Sequence, residues 1–262
     1  MVYNSPTAAS CGFACGLMSG LGQSAMFNSY DRAMYYSIVN RRPFLNAENW
    51  KGNPFTGISP SFLQRSFSAG LYFPLEDVFR YHVSSNHAID GVLVGLVGGF
   101  LTTPFNTVKY AMWSHNSSIG KSTQPGLIAT ANALLRDGGF PRLMRGVVPT
   151  LYRDMTFGLT FSLLRHQGDN GFGINAGAAF LGTVLSSPFN YARMRIYGHS
   201  SGPRRVGPIL REWVAEVVAH GSMVDRIKFA CSSLNVGWGA LRVSLGMGIG
   251  SQIYNACWKL CY

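Results

Sequence analysis

The 262 residues carry 22 Lys+Arg against 11 Asp+Glu, a formal net charge of +11, with 47% hydrophobic and only 13% charged residues. So low a charged fraction excludes long disordered tails, acidic interaction tracts and charged coiled coils, and leaves a large buried core or a membrane protein. Residues 1–30, 91–108 and 170–192 contain no Lys, Arg, Asp, Glu or His, and about 18 or more such residues is the length a bilayer asks for.

The first of these stretches has no basic segment ahead of its apolar part, so a removable secretory signal is not expected. Ser, Thr, Asn and Gly dilute all three, which suits helices packed on one another around a polar interior. Five cysteines, mostly inside apolar stretches, describe no secreted disulfide framework. Cys11 and Cys15, and Cys257 and Cys261, are spaced four apart and are read as small residues for helix packing rather than as a metal site.

A threefold internal repeat orders the rest. Met26-Phe27-Asn28, Pro104-Phe105-Asn106 and Pro188-Phe189-Asn190 share Phe-Asn at one offset, and an aromatic stands nine residues after each start: Tyr35, Trp113 and Tyr197. Starts at 26, 104 and 188 are too far apart for a solenoid and far enough for a pair of membrane helices, so six helices are expected. Each unit opens on small residues four apart: Gly12, Gly16, Gly20; Gly91, Gly95, Gly99; Gly173, Gly177, with Gly182 nearby. Glycines at that spacing share a helix face and admit a close neighbour.

A charged second helix closes each unit, through Gln64-Arg65 in the first, Tyr152-Arg153-Asp154 in the second and Leu241-Arg242-Val243 in the third. The loops between paired helices hold most of the basic charge: Arg41, Arg42, Lys51; Lys121, Arg136, Arg142, Arg145; Arg204, Arg205, Arg211, Arg226, Lys228. By the positive-inside rule these loops lie on one side and both termini on the other. Leu127, Ala131, Leu134 and Leu135, and Leu210, Trp213, Val214, Val217 and Val218, recur at helical spacing and predict short amphipathic helices lying in the interface. The first loop, residues 43–56, has no room for one.

These residues resemble the mitochondrial carrier family: three repeats of an odd helix with Pro-x-acid-x-x-base, a loop with a surface helix, and an even helix. Residues 104–109 and 188–193 look like that signature, Asp137-Gly138 through Leu143-Met144-Arg145-Gly146 like the segment that follows it, and residues 67–75 like an even helix. The resemblance implies an all-α membrane protein, six transmembrane helices in a pseudo-threefold barrel built of repeats 1–85, 86–170 and 171–262, in the mitochondrial inner membrane with termini towards the intermembrane space.

Departures from the family pattern bear on function. The acid positions of the matrix gate fall on Asn28, Asn106 and Asn190, and the base positions on Asp31, Lys109 and Arg193, so a ring of ion pairs cannot form; Asp31 is expected to pair with Lys109 or Arg193. The family's glutamine braces fall on Tyr35, Trp113 and Tyr197. On the cytoplasmic side Asp77 and Arg80 fit the gate, but its other copies fall on His166, Asp169 and Asn255. Pro104 and Pro188 are expected to kink their helices near the matrix end.

The resemblance places substrate contacts at Gln64, Arg153, Asp154, Arg242 and Val243. Arg153 would hold a carboxylate and Asp154 an amino group, unless the two satisfy each other. Worn gates favour an accessory subunit of a larger inner-membrane complex, a respiratory complex or the ATP synthase, with its cavity blocked by side chains or lipid. The alternative is an active carrier exchanging a small carboxylate-bearing metabolite such as an amino acid. Anionic lipid, cardiolipin included, suits the basic loops. With no phosphate-binding loop, zincin motif or nucleophile elbow, and no basic stripe with stacking aromatics, neither an enzyme, a cofactor, a metal nor a nucleic-acid partner is expected.

Overall fold

The computed structural model describes residues 6–83, 86–118, 126–167, 171–198 and 205–261. Of the residues singled out above, Lys121, Asp169 and Arg204, with the side chains of Asp77 and Cys261, lie outside that description. The described residues form helices and connecting turns, with no strand: α1 Pro6–Asn40, a 3-10 turn Ala47–Trp50, α2 Ile58–His82, α3 His87–Ser118, α4 Leu127–Leu143, α5 Val147–Arg165, α6 Phe172–Gly198, α7 Val206–Ala219, α8 Met223–Ser233 and α9 Val236–Cys261.

Six long helices pack in the order α1, α2, α3, α5, α6, α9, and α9 returns to α1, which closes a ring. The ring is polar inside and apolar outside. Arg32, Asp90, Asn106, Lys109, Arg193 and Arg242 are buried, whereas Met18, Leu21, Met26, Leu96, Phe100, Phe180, Leu181 and Leu185 are exposed at helical spacing. Large apolar side chains on the outer faces with charges within are what a lipid-facing helix bundle requires. Among the described residues one helix, over His87–Ser114 of α3, is long and apolar enough by composition to cross a membrane.

Close approach between paired helices follows from the glycines in two of the three units. A Cβ on Gly91 or on Gly158 would collide with the other's carbonyl, which brings α3 and α5 into backbone contact, and a Cβ on Gly16 or Gly20 would meet the α2 backbone at Ala69, Gly70 and Ser66. The third ladder behaves differently from expectation: Gly173 and Gly177 have open space where a Cβ would stand, and only Gly182 meets α5, at Phe157. Here the repeat's spacing persists while its packing does not.

Equivalent contacts recur around the ring. The shared Phe of each odd helix lies against the preceding even helix: Phe105 stacks on Phe67 at 5.5 Å, Phe189 on Tyr152 at 5.5 Å, and Phe27 lies 4.8 Å under the Arg242 guanidinium. Each even helix follows a left-handed residue, Gly57, Gly146 or Asn235, with φ of 73°, 76° and 50°. The two intervals (57 to 146, 146 to 235) are both 89 residues. Trp113 and Tyr197 occupy the space where Gly57 and Gly146 would carry a Cβ.

Pro104 and Pro188 lie inside α3 and α6, and the helix continues on both sides of each. Pro188 cannot donate to the Val184 carbonyl, and the Ser187 hydroxyl does so instead at 2.7 Å, which keeps α6 running through the proline. The amphipathic segments form α4 and α7 as expected; α8, after them, was not. α7 turns Ile209, Leu210 and Trp213 to the core, and the Trp213 indole N–H donates to Ser233 of α8 at 2.8 Å. The first loop carries only the turn Ala47–Trp50, pinned by Arg32 to the carbonyls of Lys51, Gly52 and Asn53.

Candidate functional site: the central cavity

Inside the ring the side chains leave a cavity of about 530 Å³, within the ~300–1,000 Å³ typical of small-solute sites. Seven Lys or Arg side chains line it against two carboxylates, Asp31 and Asp154, among the described residues. Which cations the carboxylates neutralise decides what the cavity can hold.

Asp31, on α1, is shared by two helices. It is ion-paired with Arg65 of α2, while Arg242 of α9 approaches it with Nε 2.7 Å from Oδ1 and a second nitrogen 3.4 Å from Oδ2. All three side chains are 15% exposed or less. The expected pairing with Lys109 or Arg193 is therefore wrong: ring closure sets α9 and α2 on either side of α1, and their arginines reach the carboxylate first.

Lys109 instead donates to the Gln64 side-chain oxygen at 3.1 Å, and Arg193 to Asn190 at 2.7 Å and to the Tyr110 hydroxyl at 3.2 Å. Both cations also face one ring, Tyr110, with centroid distances of 5.1 Å and 5.7 Å. Each is 4% exposed. Arg153 and Asp154 pair with each other, Nε to Oδ1 2.5 Å, so the carboxylate and amine clamp the resemblance implies is self-satisfied. Gly99 has no side chain where one would fall 2.9 Å from the Asp154 oxygen, and that gap lets the pair lie against α3. Val243 lines the cavity and packs against the cluster around Phe161.

The three asparagines do not form one ring. Asn28 lies outside the cavity lining; it donates to the Pro54 and Thr56 carbonyls and accepts from Ser61, tying α1 to the start of α2. Asn106 and Asn190 line the cavity. Below them, the aromatics at the brace positions form a plug with Tyr110: Tyr35 and Trp113 at 5.6 Å, Tyr35 and Tyr110 at 5.1 Å, Tyr110 and Tyr197 stacked at 4.5 Å. The Trp113 indole donates to the Thr56 carbonyl and the Tyr36 hydroxyl to the Trp113 carbonyl, so this end is closed by rings and hydrogen bonds.

At the other end, Arg80 stands 2.9 Å from His166 Nε2 and 3.8 Å from buried Asp90, and His166 stacks on His87 at 4.0 Å. Asn255 lines the cavity near this mouth; Asp77 and Asp169 lie outside the description. Arg65, Tyr110 and Asp90 are the site residues that sequence reasoning passed over. Arg65 adjoins Gln64 on a helix already singled out, so an unneutralised cation beside a contact position was the available signal.

The comparisons with known proteins agree with this architecture. Residues 81–167 match the family described as mitochondrial carrier protein. Mitochondrial magnesium exporter 1 of Drosophila melanogaster is 26% identical over 173 residues, covering 59% of this chain and 57% of the relative. This chain thus spans little more than half the length of that curated relative. Together with the helical ring and the repeated motifs, these matches make the chain similar to mitochondrial carrier proteins, over residues 81–167 for the family and over 59% of the chain for the relative.

Proposed function

We propose that the protein is a solute carrier of the mitochondrial inner membrane that moves small carboxylate-bearing anions through the central cavity. In this reading the ring is a pseudo-threefold barrel of repeats 1–85, 86–170 and 171–262, its termini face the intermembrane space, and its basic loops meet anionic lipid such as cardiolipin. The observation that carries the reading is the charge excess: seven cations face the cavity against two carboxylates, each already ion-paired.

The relative's name is that of a transporter, which favours transport over the accessory-subunit role expected from the worn gates. A cavity of about 530 Å³ also differs from the blocked interior which that role required. The cargo in the relative's name is a divalent cation, yet bare Mg²⁺ would here meet a cationic wall with both carboxylates taken, and its hydration is costly to strip. The anion reading is therefore the one this chain's own residues support.

Reconstituted into liposomes, the full chain should exchange a labelled small carboxylate saturably and well above protein-free leak. Uptake no faster than leak, with the protein folded and inserted, would count against transport.

A further inference from the structure

Asp31 joins α1 to α2 and α9 by ion pairs, but the opposite part of the cavity floor has no counterpart. There α3 and α6 present Lys109 and Arg193, and among the described residues neither has a carboxylate in ion-pair distance. Their partners are the neutral oxygens of Gln64, Asn190 and Tyr110. Both cations converge on the Tyr110 ring. On α3, three residues before Lys109, stands Asn106, 1% exposed, whose side-chain N–H₂ has no hydrogen-bond partner, and the Arg193 Nε is likewise buried and unpartnered.

Buried donors without acceptors, beside two buried cations without an anion, call for a negatively charged acceptor from outside. Asn106, Lys109, Tyr110, Asn190 and Arg193 all line the cavity, so a solute can reach them. We infer that Lys109, Arg193 and Asn106 form a binding site for a small dianionic group, phosphoryl or dicarboxylate, that ties α3 to α6 as Asp31 ties α1 to α2 and α9. Two cations match two negative charges. Lys109 retains donors beyond the one given to Gln64, the Asn106 amide adds a neutral donor, and Arg193 offers its planar fork for bidentate contact.

The inference deepens the carrier reading and rests on it for the ligand's role in transport, but binding is measured without transport. The full chain in mild detergent is titrated at constant ionic strength with inorganic phosphate, succinate and acetate while its unfolding temperature is read. Phosphate or succinate should raise that temperature saturably, and acetate at least tenfold less effectively. Lys109→Gln should remove the shift, and Arg211→Gln, on the exposed face of α7, should keep it.

Asn106→Asp carries the test if Lys109→Gln fails to fold. It leaves both cations in place and supplies the charge internally, three residues from Lys109. Its unfolding temperature without ligand should rise and the dianion shift should disappear. A dianion shift unchanged in Asn106→Asp, or acetate as effective as succinate, would overturn the site. A normal dianion shift without exchange in liposomes would remove the carrier reading and leave the site; exchange without a shift would remove the site alone.

Discussion

At the residue scale the interior is governed by which charges find partners. Asp31 holds two arginines from neighbouring helices, and removing one member of a buried ion cluster leaves the others without compensation at about 3 kcal/mol or more. Asp31→Asn should therefore lower the unfolding temperature of the purified protein clearly, and adding Arg242→Gln to Asp31→Asn should recover part of the loss. A double variant no more stable than the single would show that Arg242 and Asp31 do not act as a pair. The sequence made the imbalance visible, since acids are missing where Lys109 and Arg193 remain. It could not show the pairing of Asp31 with Arg242, 211 residues away, because that contact depends on how the ring closes.

The same limit applies to Asn28, Asn106 and Asn190. Identical by motif, they part company because the short first loop brings the Pro54 and Thr56 carbonyls to Asn28, while Asn106 and Asn190 keep facing the cavity. Arg153 and Asp154 were legible as a pair in contact or a pair in waiting, and only geometry separates the two. Arg153→Ala leaves Asp154 as an unpaired carboxylate in the wall, so uptake of an anion should fall at least tenfold in proteoliposomes while the helical circular dichroism signal is retained.

At the scale of elements, periodicity found α4 and α7 because their apolar stripes are set against polar faces, and the odd helices stood out because each contains a long uncharged stretch. It missed α8, which begins at a Ser222 cap with no extended stripe to announce it. The glycine ladders show why spacing alone is insufficient: in α3 they meet the α5 backbone, whereas Gly173 and Gly177 meet nothing within 4 Å. Gly91→Leu should accordingly disrupt folding, with little protein recovered in monodisperse form, and Gly177→Leu should be tolerated.

The helix starts give a finer test. Gly146 has φ of 76° and its missing Cβ would fall 2.9 Å from the Tyr197 ring. Ala there adds about 1 kcal/mol of left-handed strain to a steric clash with the plug. Gly146→Ala should cost about 2 kcal/mol or more by denaturant titration, and Asn235→Gly, at a start where a side chain is already accommodated, less than half of that. Equal costs would mean that Tyr197 yields freely. Ser187→Ala should cost about 1 kcal/mol, because the Val184 carbonyl beside Pro188 loses its donor.

At the scale of the whole molecule, the repeat and the uncharged stretches carried the fold, and the structure adds the order of helices in the ring and the inversion of polar inside and apolar outside. What the sequence could not show is the charge of the cavity as a unit. Gates read one position at a time looked worn, and that favoured a silent accessory role; assembled, the same residues surround one volume with an excess of buried positive charge. On the proposed carrier reading, that excess sets the sign of the cargo. It attracts anions, disfavours bare cations, and would be screened little in so enclosed a space.

If the sign of the cavity's charge decides transport, anion and cation should part company when both are offered to one preparation. Proteoliposomes of the full chain, loaded with a Mg²⁺-sensitive dye and unlabelled succinate, are given external labelled succinate or external Mg²⁺ alone. An anion carrier should show saturable succinate exchange, with no Mg²⁺ entry above protein-free liposomes. Saturable Mg²⁺ entry in the absence of external anion, with succinate exchange at the level of leak, would contradict that reading.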